Sequence, residues 1–459
     1  MIGLLGLVVL YGTAYLLSRD RARVNWRTLV WGFGLQLIFA VIVIKTVPGQ
    51  LLFATLADGV TGLLEFADAG SNFVFGSLAS SEQSGFILAF QVLPVVIFIA
   101  SFFSVLYFIG LMQRVVLLMA RGMHKTMGVS GSESLAAAAN VFMGQTEAPI
   151  IIAPYVPSMT RSELMALMTG GFATVSGAVL AAYIGIGVRA DYLLSASVMA
   201  APASLIMAKL MFPETEESKT AGGVSIEVDS DDVNVLDAAA RGASQGVKLA
   251  LNIGGMLIAF LGLIALLNGG LGLAGRAFLD TAGMLRLSGA LVGLLVAWLL
   301  MWRPTRTTAI RACGGVLLAV AGAWAIYALR GPGVLPMRLE SILGAVLAPL
   351  AWTMGVPWSE ATSVGELFGT KLVLTEIVGF IRMVEMSDAG MLSPKSELIA
   401  SYALCGFANF ASIAIQIGGI GGLAPSRKSD LARIGPWAML AGTMASYSTA
   451  TLAGLLSGL

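Results

Sequence analysis

Two Thr-Glu pairs, Thr146-Glu147 and Thr375-Glu376, each lie in the middle of an apolar segment. A carboxylate buried in a membrane is costly, so each glutamate is expected to face a polar cavity and to bind a partner there. Gln145 lies beside the first pair, and Asn409 and Ser412 lie in another apolar segment. These side chains offer many hydrogen-bond donors and acceptors but few fixed charges. They therefore favour a neutral, hydroxyl-rich solute over an anion.

The composition indicates that the chain is a membrane protein with many spans. Of its 459 residues, 57% are hydrophobic and 12% are charged, whereas soluble domains have about 25% charged residues. Such a chain cannot cover its surface with polar groups, which excludes a soluble enzyme, a nucleic-acid-binding protein and a disordered protein. The single histidine and the two cysteines provide neither a metal cluster nor a disulfide framework, and no cofactor is expected.

Continuous apolar runs of about 17–25 residues predict an all-α fold with about ten transmembrane helices. The lipid bilayer is therefore an expected partner. Lys and Arg are concentrated in the loops after the first, third, fifth, seventh and ninth spans, which places those loops in the cytoplasm and both termini in the periplasm. The predicted spans are 2–17, 28–46, 91–119, 164–188, 191–212, 247–272, 287–302, 312–329, 396–422 and 436–457.

Three further segments are not expected to cross the membrane. Residues 50–85 are mildly amphipathic, which predicts an interfacial helix on the outer surface. Residues 134–160 and 361–392 are apolar but carry Glu, Gln, Thr or Lys in their middles. Counting either segment as a complete crossing would reverse the charge pattern of the loops that follow. Both are therefore predicted to be re-entrant hairpins, the first entering from the inside and the second from the outside.

The two hairpins begin an internal repeat. About 25–30 residues after each Thr-Glu pair comes a similar string, Gly171-Phe172-Ala173-Thr174 in one half and Gly406-Phe407-Ala408-Asn409 in the other. Because the hairpins enter from opposite sides, the repeats are inverted. Inverted repeats whose broken helices meet near the middle of the membrane are typical of secondary transporters.

Longer motifs resemble those of a known family, the concentrative nucleoside transporters. The resemblance covers residues of about 25–275 and from about 338 to the end. It implies a homotrimer that imports nucleosides with sodium across a bacterial inner membrane, with a scaffold domain and a mobile transport domain in each protomer. Nucleic acid is not an expected partner. The matching strings are Asn140–Pro149 (NVFMGQTEAP), Met168–Thr174 (MTGGFAT), Gly369–Glu376 (GTKLVLTE) and Cys405–Phe410 (CGFANF).

By motif position, the resemblance implies three groups of binding residues. The residues expected near the nucleobase are Gln145, Thr146, Glu147 and Val179. The residues expected near the ribose are Glu376, Phe407, Asn409 and Ser412. The residues expected to bind sodium, partly through backbone carbonyls, are Asn140, Met143, Thr174 and Val175.

The sequence departs from the family pattern at two places. About 50 residues near 278–335 look inserted and carry the spans 287–302 and 312–329. Because two spans are added, the topology downstream is preserved, and we expect the pair at the periphery of the scaffold. Thr375 stands where the family commonly has asparagine, at the ribose end.

The predicted organisation has five parts. Scaffold helices and the interfacial helix occupy 1–120, and the first transport repeat, a hairpin plus two helices, occupies 121–212. An acidic cytoplasmic linker follows at 213–246. Residues 247–360 contain a scaffold helix with the inserted helix pair. The second transport repeat, again a hairpin plus two helices, occupies 361–459.

Three alternatives remain at this stage. Proton coupling is the alternative within the same class, although Asn140 and Thr174 favour sodium because their neutral oxygens suit a hard monovalent cation and offer no proton acceptor. A membrane-embedded enzyme would need a nucleophile–base pair or a metal cluster, and the single histidine argues against both. A channel fits the composition, but the inverted hairpin repeat favours alternating access.

Overall fold

The computed structural model describes residues 2–222, 232–279 and 338–458, with side chains described as far as 271 in the second range. The described residues lie mostly in helices, and none of them forms a strand. The all-α prediction is therefore confirmed. The additional spans predicted at 287–302 and 312–329 lie outside the described residues.

Most of the described chain lies in helices of nine residues or more. These are α1 (Ile2–Leu16), α2 (Trp26–Lys45), α3 (Val47–Phe75), α4 (Leu93–Phe108), α5 (Leu111–Met127), α6 (Gly131–Ala139), α7 (Arg161–Ala173), α8 (Gly177–Gly185), α9 (Ala190–Met211), α10 (Val235–Leu279), α11 (Leu339–Thr353), α12 (Trp358–Val373), α13 (Glu376–Asp388), α14 (Pro394–Leu404), α15 (Phe410–Leu423) and α16 (Lys428–Ser457).

The helices that follow the first hairpin form the interior of the molecule. Within the most apolar stretch of each segment, 94% of the residues are buried in α7–α8 and 89% in α9, against 28% in α2 and 22% in α10. The outer helices expose large apolar side chains, including Leu51, Leu118 and Ile258. Exposing this much apolar surface to water costs free energy, so such long apolar helices require a hydrocarbon environment. The outer helices are therefore suited to contact lipid or other membrane-embedded protein.

Three predicted spans are interrupted in the structure, which corrects the expectation of continuous helices. The span at 91–119 is divided into α4 and α5 at Gly110, whose φ of 80° is accessible to glycine. The span at 164–188 is divided before α8, where the Ser176 side chain accepts a hydrogen bond from Val179 N. The span at 396–422 is divided before α15, where Asn409 caps the helix by accepting from Ser412 N. Apolar residues continue through these breaks, so hydropathy alone does not reveal them.

Each predicted hairpin contains a break at its polar centre. In the first, α6 ends at Ala139, and one turn of helix follows at Ala148–Ile151. In the second, α12 and α13 are separated only by Leu374 and Thr375. Thr146-Glu147 and Thr375-Glu376 therefore lie where the backbone leaves helical geometry.

Other segments differ from the prediction or leave it untested. Helix α11 was not predicted, and it meets α12 at a bend of 119° near Gly355, whose φ is 108°. Helix α10 begins at Val235, so the end of the predicted acidic linker is helical. By length and composition, the segment Val47–Ser84, which includes α3, could cross a membrane. The interfacial location predicted for 50–85 stays a prediction.

Candidate functional site

The breaks at Thr174–Ser176 and Cys405–Asn409 contact each other directly. The Phe407 amide donates a hydrogen bond to Thr174 O at 3.3 Å. Gly406 has a φ of 146°, and a Cβ atom at this position would lie 2.8 Å from Phe172 O. Glycine is therefore required both by the backbone conformation and by the close approach of α7. The two Gly-Phe-Ala strings that define the repeat thus meet inside the protein.

A cavity of about 290 Å³ opens beside these breaks. Its volume lies at the small end of the range for small-molecule sites, about 300–1,000 Å³. It brings together side chains from both hairpins and both broken helices. All the residues predicted to contact the solute line it: Gln145, Thr146, Glu147, Val179, Glu376, Phe407, Asn409 and Ser412.

At the predicted ribose end, Glu376 is held by one donor from α8 and one from the residue that caps α15. Tyr183 OH donates to Glu376 Oε1 at 2.8 Å, and Asn409 Nδ2 donates to Oε2 at 2.9 Å. Glu376 is also the first residue of α13, where the helix dipole favours a negative charge. Its side chain is buried. A carboxylate oxygen has more than one acceptor position, so Glu376 can accept further hydrogen bonds from a solute.

At the predicted nucleobase end, the hairpin residues contact α15. Gln145 Nε2 donates to Ser412 Oγ at 3.1 Å, and Gln416 Nε2 donates to Gln145 Oε1 at 3.1 Å. The Oε2 atom of Glu147 accepts from Gly144 N at 2.5 Å. The Thr146 methyl group faces Gly419, where an added Cβ would lie 3.1 Å from it. The predicted nucleobase end of the cavity therefore combines an amide, a hydroxyl and a carboxylate, and the backbone segments that carry them pack closely together.

Several lining residues were not identified from the sequence. Asn252 lies on α10 among the apolar side chains that line the cavity. In the sequence it is a polar residue within an apolar run, and this feature could have identified it as a lining residue. Ser176 also lines the cavity. Tyr183 donates a hydrogen bond to Glu376, and Gln416 donates one to Gln145. No sequence motif indicated either residue. The apolar residues of α10 that line the cavity are Leu249, Ile253, Met256 and Leu257.

A second cavity, of about 420 Å³, adjoins the first and shares Glu147, Ser176 and Leu249 with it. Arg241 and Gln245 lie among its lining residues. Glu147 therefore lines both spaces and lies between them.

The residues predicted to bind sodium occupy the first hairpin break and the break after α7. Asn140 is 1% exposed, and in the described part of the chain neither polar atom of its side chain has a hydrogen-bond partner. Gly170 lies against it, since an added Cβ would lie 2.9 Å from Asn140 Nδ2. Thr174 Oγ1 donates to Gly170 O at 2.8 Å. Met143 and Val175 lie in the same two breaks, where carbonyl groups are released from helical pairing.

Comparisons with known proteins show which sequences and structures this chain is similar to. Residues 192–454 match the family described as the Na+ dependent nucleoside transporter C-terminus. This chain belongs to the concentrative nucleoside transporter family. Residues 5–78 match the N-terminal part of the same family, and residues 89–189 match a family described as Gate: Nucleoside recognition.

Relatives of this concentrative nucleoside transporter extend over almost the whole chain. An uncharacterized transporter of Haemophilus influenzae is 41% identical over 461 residues, covering 99% of this chain and 97% of the relative. Sodium/nucleoside cotransporter 1 of Mus musculus is 36% identical over 453 residues, covering 96% of this chain and 61% of the mouse protein. The resemblance seen in the motifs is therefore confirmed.

Solved structures of a concentrative nucleoside transporter, CNTnw, have the same fold. The inward-facing, substrate-bound structure superposes with a TM-score of 0.82 at 36% identity, covering 100% of this chain and 98% of the other. An outward-facing structure gives the same TM-score of 0.82. This chain is thus a membrane protein of a nucleoside transporter family and not an enzyme. Its fold is that of transporters with scaffold and transport domains.

Proposed function

We propose that this protein imports nucleosides by symport with sodium across the bacterial inner membrane. The observation that carries the proposal is the arrangement of Glu376 and Gln145 in one cavity. Glu376 is oriented by Tyr183 and Asn409, and Gln145 is oriented by Ser412. A polar site with a sugar-binding carboxylate at one end and an amide at the other suits a nucleoside.

The ribose would lie at the Glu376 end. Ribose hydroxyls are donors, and the free acceptor positions on Glu376 are suited to them. Asn409 and Ser412 flank this position, with Phe407 available to pack against the sugar. The base would lie between Gln145, Thr146 and Val179, with Glu147 accepting a base N–H.

Sodium would bind between the two breaks that contain Asn140 and Thr174. The unpaired oxygen of buried Asn140 and the released carbonyls suit a hard monovalent cation, as in other transporters with broken helices. Proton coupling is the alternative. It would use a buried carboxylate, and Glu147, which lines both cavities, is placed to carry the proton.

The family also supports the proposed organisation of the protein. We propose a homotrimer in which residues 121–212 and 361–459 form the mobile transport domain, while 1–120 and 247–360 form the scaffold. Residues of α10 and of both hairpins line the cavity, so in this organisation the cavity would lie between the scaffold and the transport domain. The charge pattern of the loops supports periplasmic termini.

The function is tested by uptake of labelled uridine into proteoliposomes that contain the purified protein. Uptake should rise with an inward sodium gradient at fixed pH and should stop when sodium is replaced by choline. Uptake that ignores sodium and follows a pH gradient would establish the proton-coupled alternative. Absence of uridine uptake and of uptake of other nucleosides under both gradients would overturn the proposal.

A further inference from the structure

The direction of the hydrogen bonds at the nucleobase end is fixed by a backbone carbonyl. Gln416 Nε2 lies 3.2 Å from Met168 O. A carbonyl oxygen only accepts hydrogen bonds, so the Gln416 atom facing it must be the amide nitrogen. The same nitrogen lies 3.1 Å from the Gln145 side chain. Two amide NH₂ groups would repel each other, so Gln145 must present its oxygen to Gln416.

The orientation of Gln145 follows from this contact. With its oxygen turned to Gln416, its nitrogen donates to Ser412 Oγ at 3.1 Å. An amide nitrogen carries two hydrogens, and in the described part of the chain the second has no protein acceptor. Ser412 Oγ accepts from Gln145, and within the described ranges its own proton has no protein acceptor. Both Gln145 and Ser412 line the cavity.

Gln416 is an unfavourable residue for packing alone. It is fully buried behind Gln145, and in the described residues its Oε1 atom has no hydrogen-bond partner. Burial of an unpaired polar atom costs stability, so an apolar side chain of similar size would pack better there. Gly171 supplies the space for the contact, because a Cβ there would lie 2.9 Å from Gln416 Nε2 and 3.0 Å from Gln145 Cβ.

We infer that Gln416 is a positioning residue that holds Gln145 with an amide N–H toward the solute, so that the site selects bases carrying an oxo group. This inference rests on the proposed nucleoside transport. The free N–H of Gln145 would donate to the base oxygen, and Glu147 would accept the neighbouring ring N–H. Uracil and hypoxanthine present this carbonyl–N–H edge. Cytosine and adenine present an amino group and an unprotonated ring nitrogen in the same positions.

The ribose contact prevents the base from adjusting its position to avoid the mismatch. Glu376 is held between Tyr183 and Asn409, which fixes where the sugar binds and therefore where the glycosidic bond begins. An amino group on the base would then face the N–H of Gln145, and a ring nitrogen would face the Glu147 carboxylate. A site that leaves buried polar groups unpaired discriminates strongly against such a ligand.

The test measures competition against labelled uridine binding to the purified protein by unlabelled uridine, inosine, cytidine and adenosine. We expect uridine and inosine to compete about tenfold or more better than cytidine and adenosine, as one mismatched buried hydrogen bond is worth about a factor of ten. If cytidine and adenosine compete as well as uridine and inosine, the inference is overturned. Binding of labelled adenosine or cytidine without binding of labelled uridine or inosine would also overturn the inference. If none of the labelled nucleosides binds, the proposed function fails instead, so the two failures are distinguishable.

Two leucine variants test the role of Gln416 itself. Gln416→Leu releases Gln145 to rotate, so the preference for oxo bases should fall about threefold or more while saturable uridine binding remains. Gln36→Leu is the matched control. Gln36 is equally buried and donates to Ser448 and Thr449 at 3.2 and 3.1 Å, away from the cavity. The inference is wrong if Gln416→Leu keeps the parental preference, or if both variants lose it equally.

Discussion

The hydroxyl of Tyr183 donates a hydrogen bond to Glu376 Oε1 at 2.8 Å, across a separation of 193 residues in the chain. Tyr183 lies on α8, which follows the first hairpin, and Glu376 begins the second half of the other hairpin. The ring of Tyr183 also packs on Phe380, with centroids 4.6 Å apart. The two halves of the predicted repeat are therefore joined at the carboxylate assigned to the ribose.

Replacing Tyr183 with phenylalanine should weaken uridine binding by about tenfold or more. The ring packing is kept, but Glu376 loses a donor, and hydrogen bonds to charged groups are worth about 1.5–3 kcal/mol. Equilibrium binding of labelled uridine measures the change. Tyr402→Phe is the control, because Tyr402 is also buried and its hydroxyl bonds to Ser195, outside the cavity. Equal losses in both variants would indicate a general packing effect.

The two glutamates should differ in their effect on sugar recognition. Glu376→Gln should weaken uridine binding by roughly tenfold, since a charged acceptor becomes a neutral amide. It should also reduce discrimination between uridine and its 2′- and 3′-deoxy analogues. Glu147→Gln should weaken binding but keep that discrimination. Competition by the three nucleosides measures both effects, and equal loss of discrimination in the two variants would contradict the assignment of the two ends.

The candidate sodium residues should control the ion dependence of uptake. Thr174→Val or Asn140→Leu should raise the sodium concentration for half-maximal uptake by about tenfold, which corresponds to the loss of about 1.4 kcal/mol. Thr443→Val is the matched control. Like Thr174, Thr443 is buried and donates to a carbonyl four residues earlier, Met439 O at 2.9 Å. An unchanged sodium dependence in both site variants would remove these residues from the ion site.

A buried ion pair at the end of α9 should determine stability rather than binding. Lys209 pairs with Glu133, which lies in the first turn of α6, and it donates to Ser162 Oγ at 2.8 Å and to Glu214 Oε2 at 3.3 Å. The sequence predicts that the acidic residues after α9 form a linker. Glu214, at the start of this linker, also accepts a hydrogen bond from Thr160 Oγ1 at 2.8 Å. The start of this linker is therefore attached to the helices of the first repeat.

Lys209→Met should lower the free energy of unfolding by about 3–5 kcal/mol, because it leaves Glu133 buried without its cation. Thermal unfolding of the detergent-solubilised protein measures the loss. Adding Glu133→Gln to Lys209→Met should recover part of it, since the unpaired charge is then removed. If the two residues did not interact, the losses of unfolding free energy from the two substitutions would add. A double variant whose loss equals that sum would therefore contradict the pairing.

The sequence determined the class of protein, the two apolar segments with polar centres and eight of the residues that line the cavity. Apolar runs long enough for a membrane and polar residues inside them are local properties of the chain, so both are visible without a structure. The repeated Thr-Glu and Gly-Phe-Ala strings could be matched for the same reason. The residues Gln145, Glu376, Asn409 and Ser412 were found in this way.

Only the tertiary structure decided which distant groups orient those residues. Tyr183 reaches Glu376 across 193 residues, and Gln416 reaches Gln145 across 271. Gly171 leaves the space for the contact between Gln416 and Gln145, and Gly406 lets the two breaks approach closely. Such close approaches depend on three-dimensional packing that no local pattern encodes. Asn252 likewise joins the cavity only because α10 packs over it, and it lines the cavity beside apolar residues of the same helix.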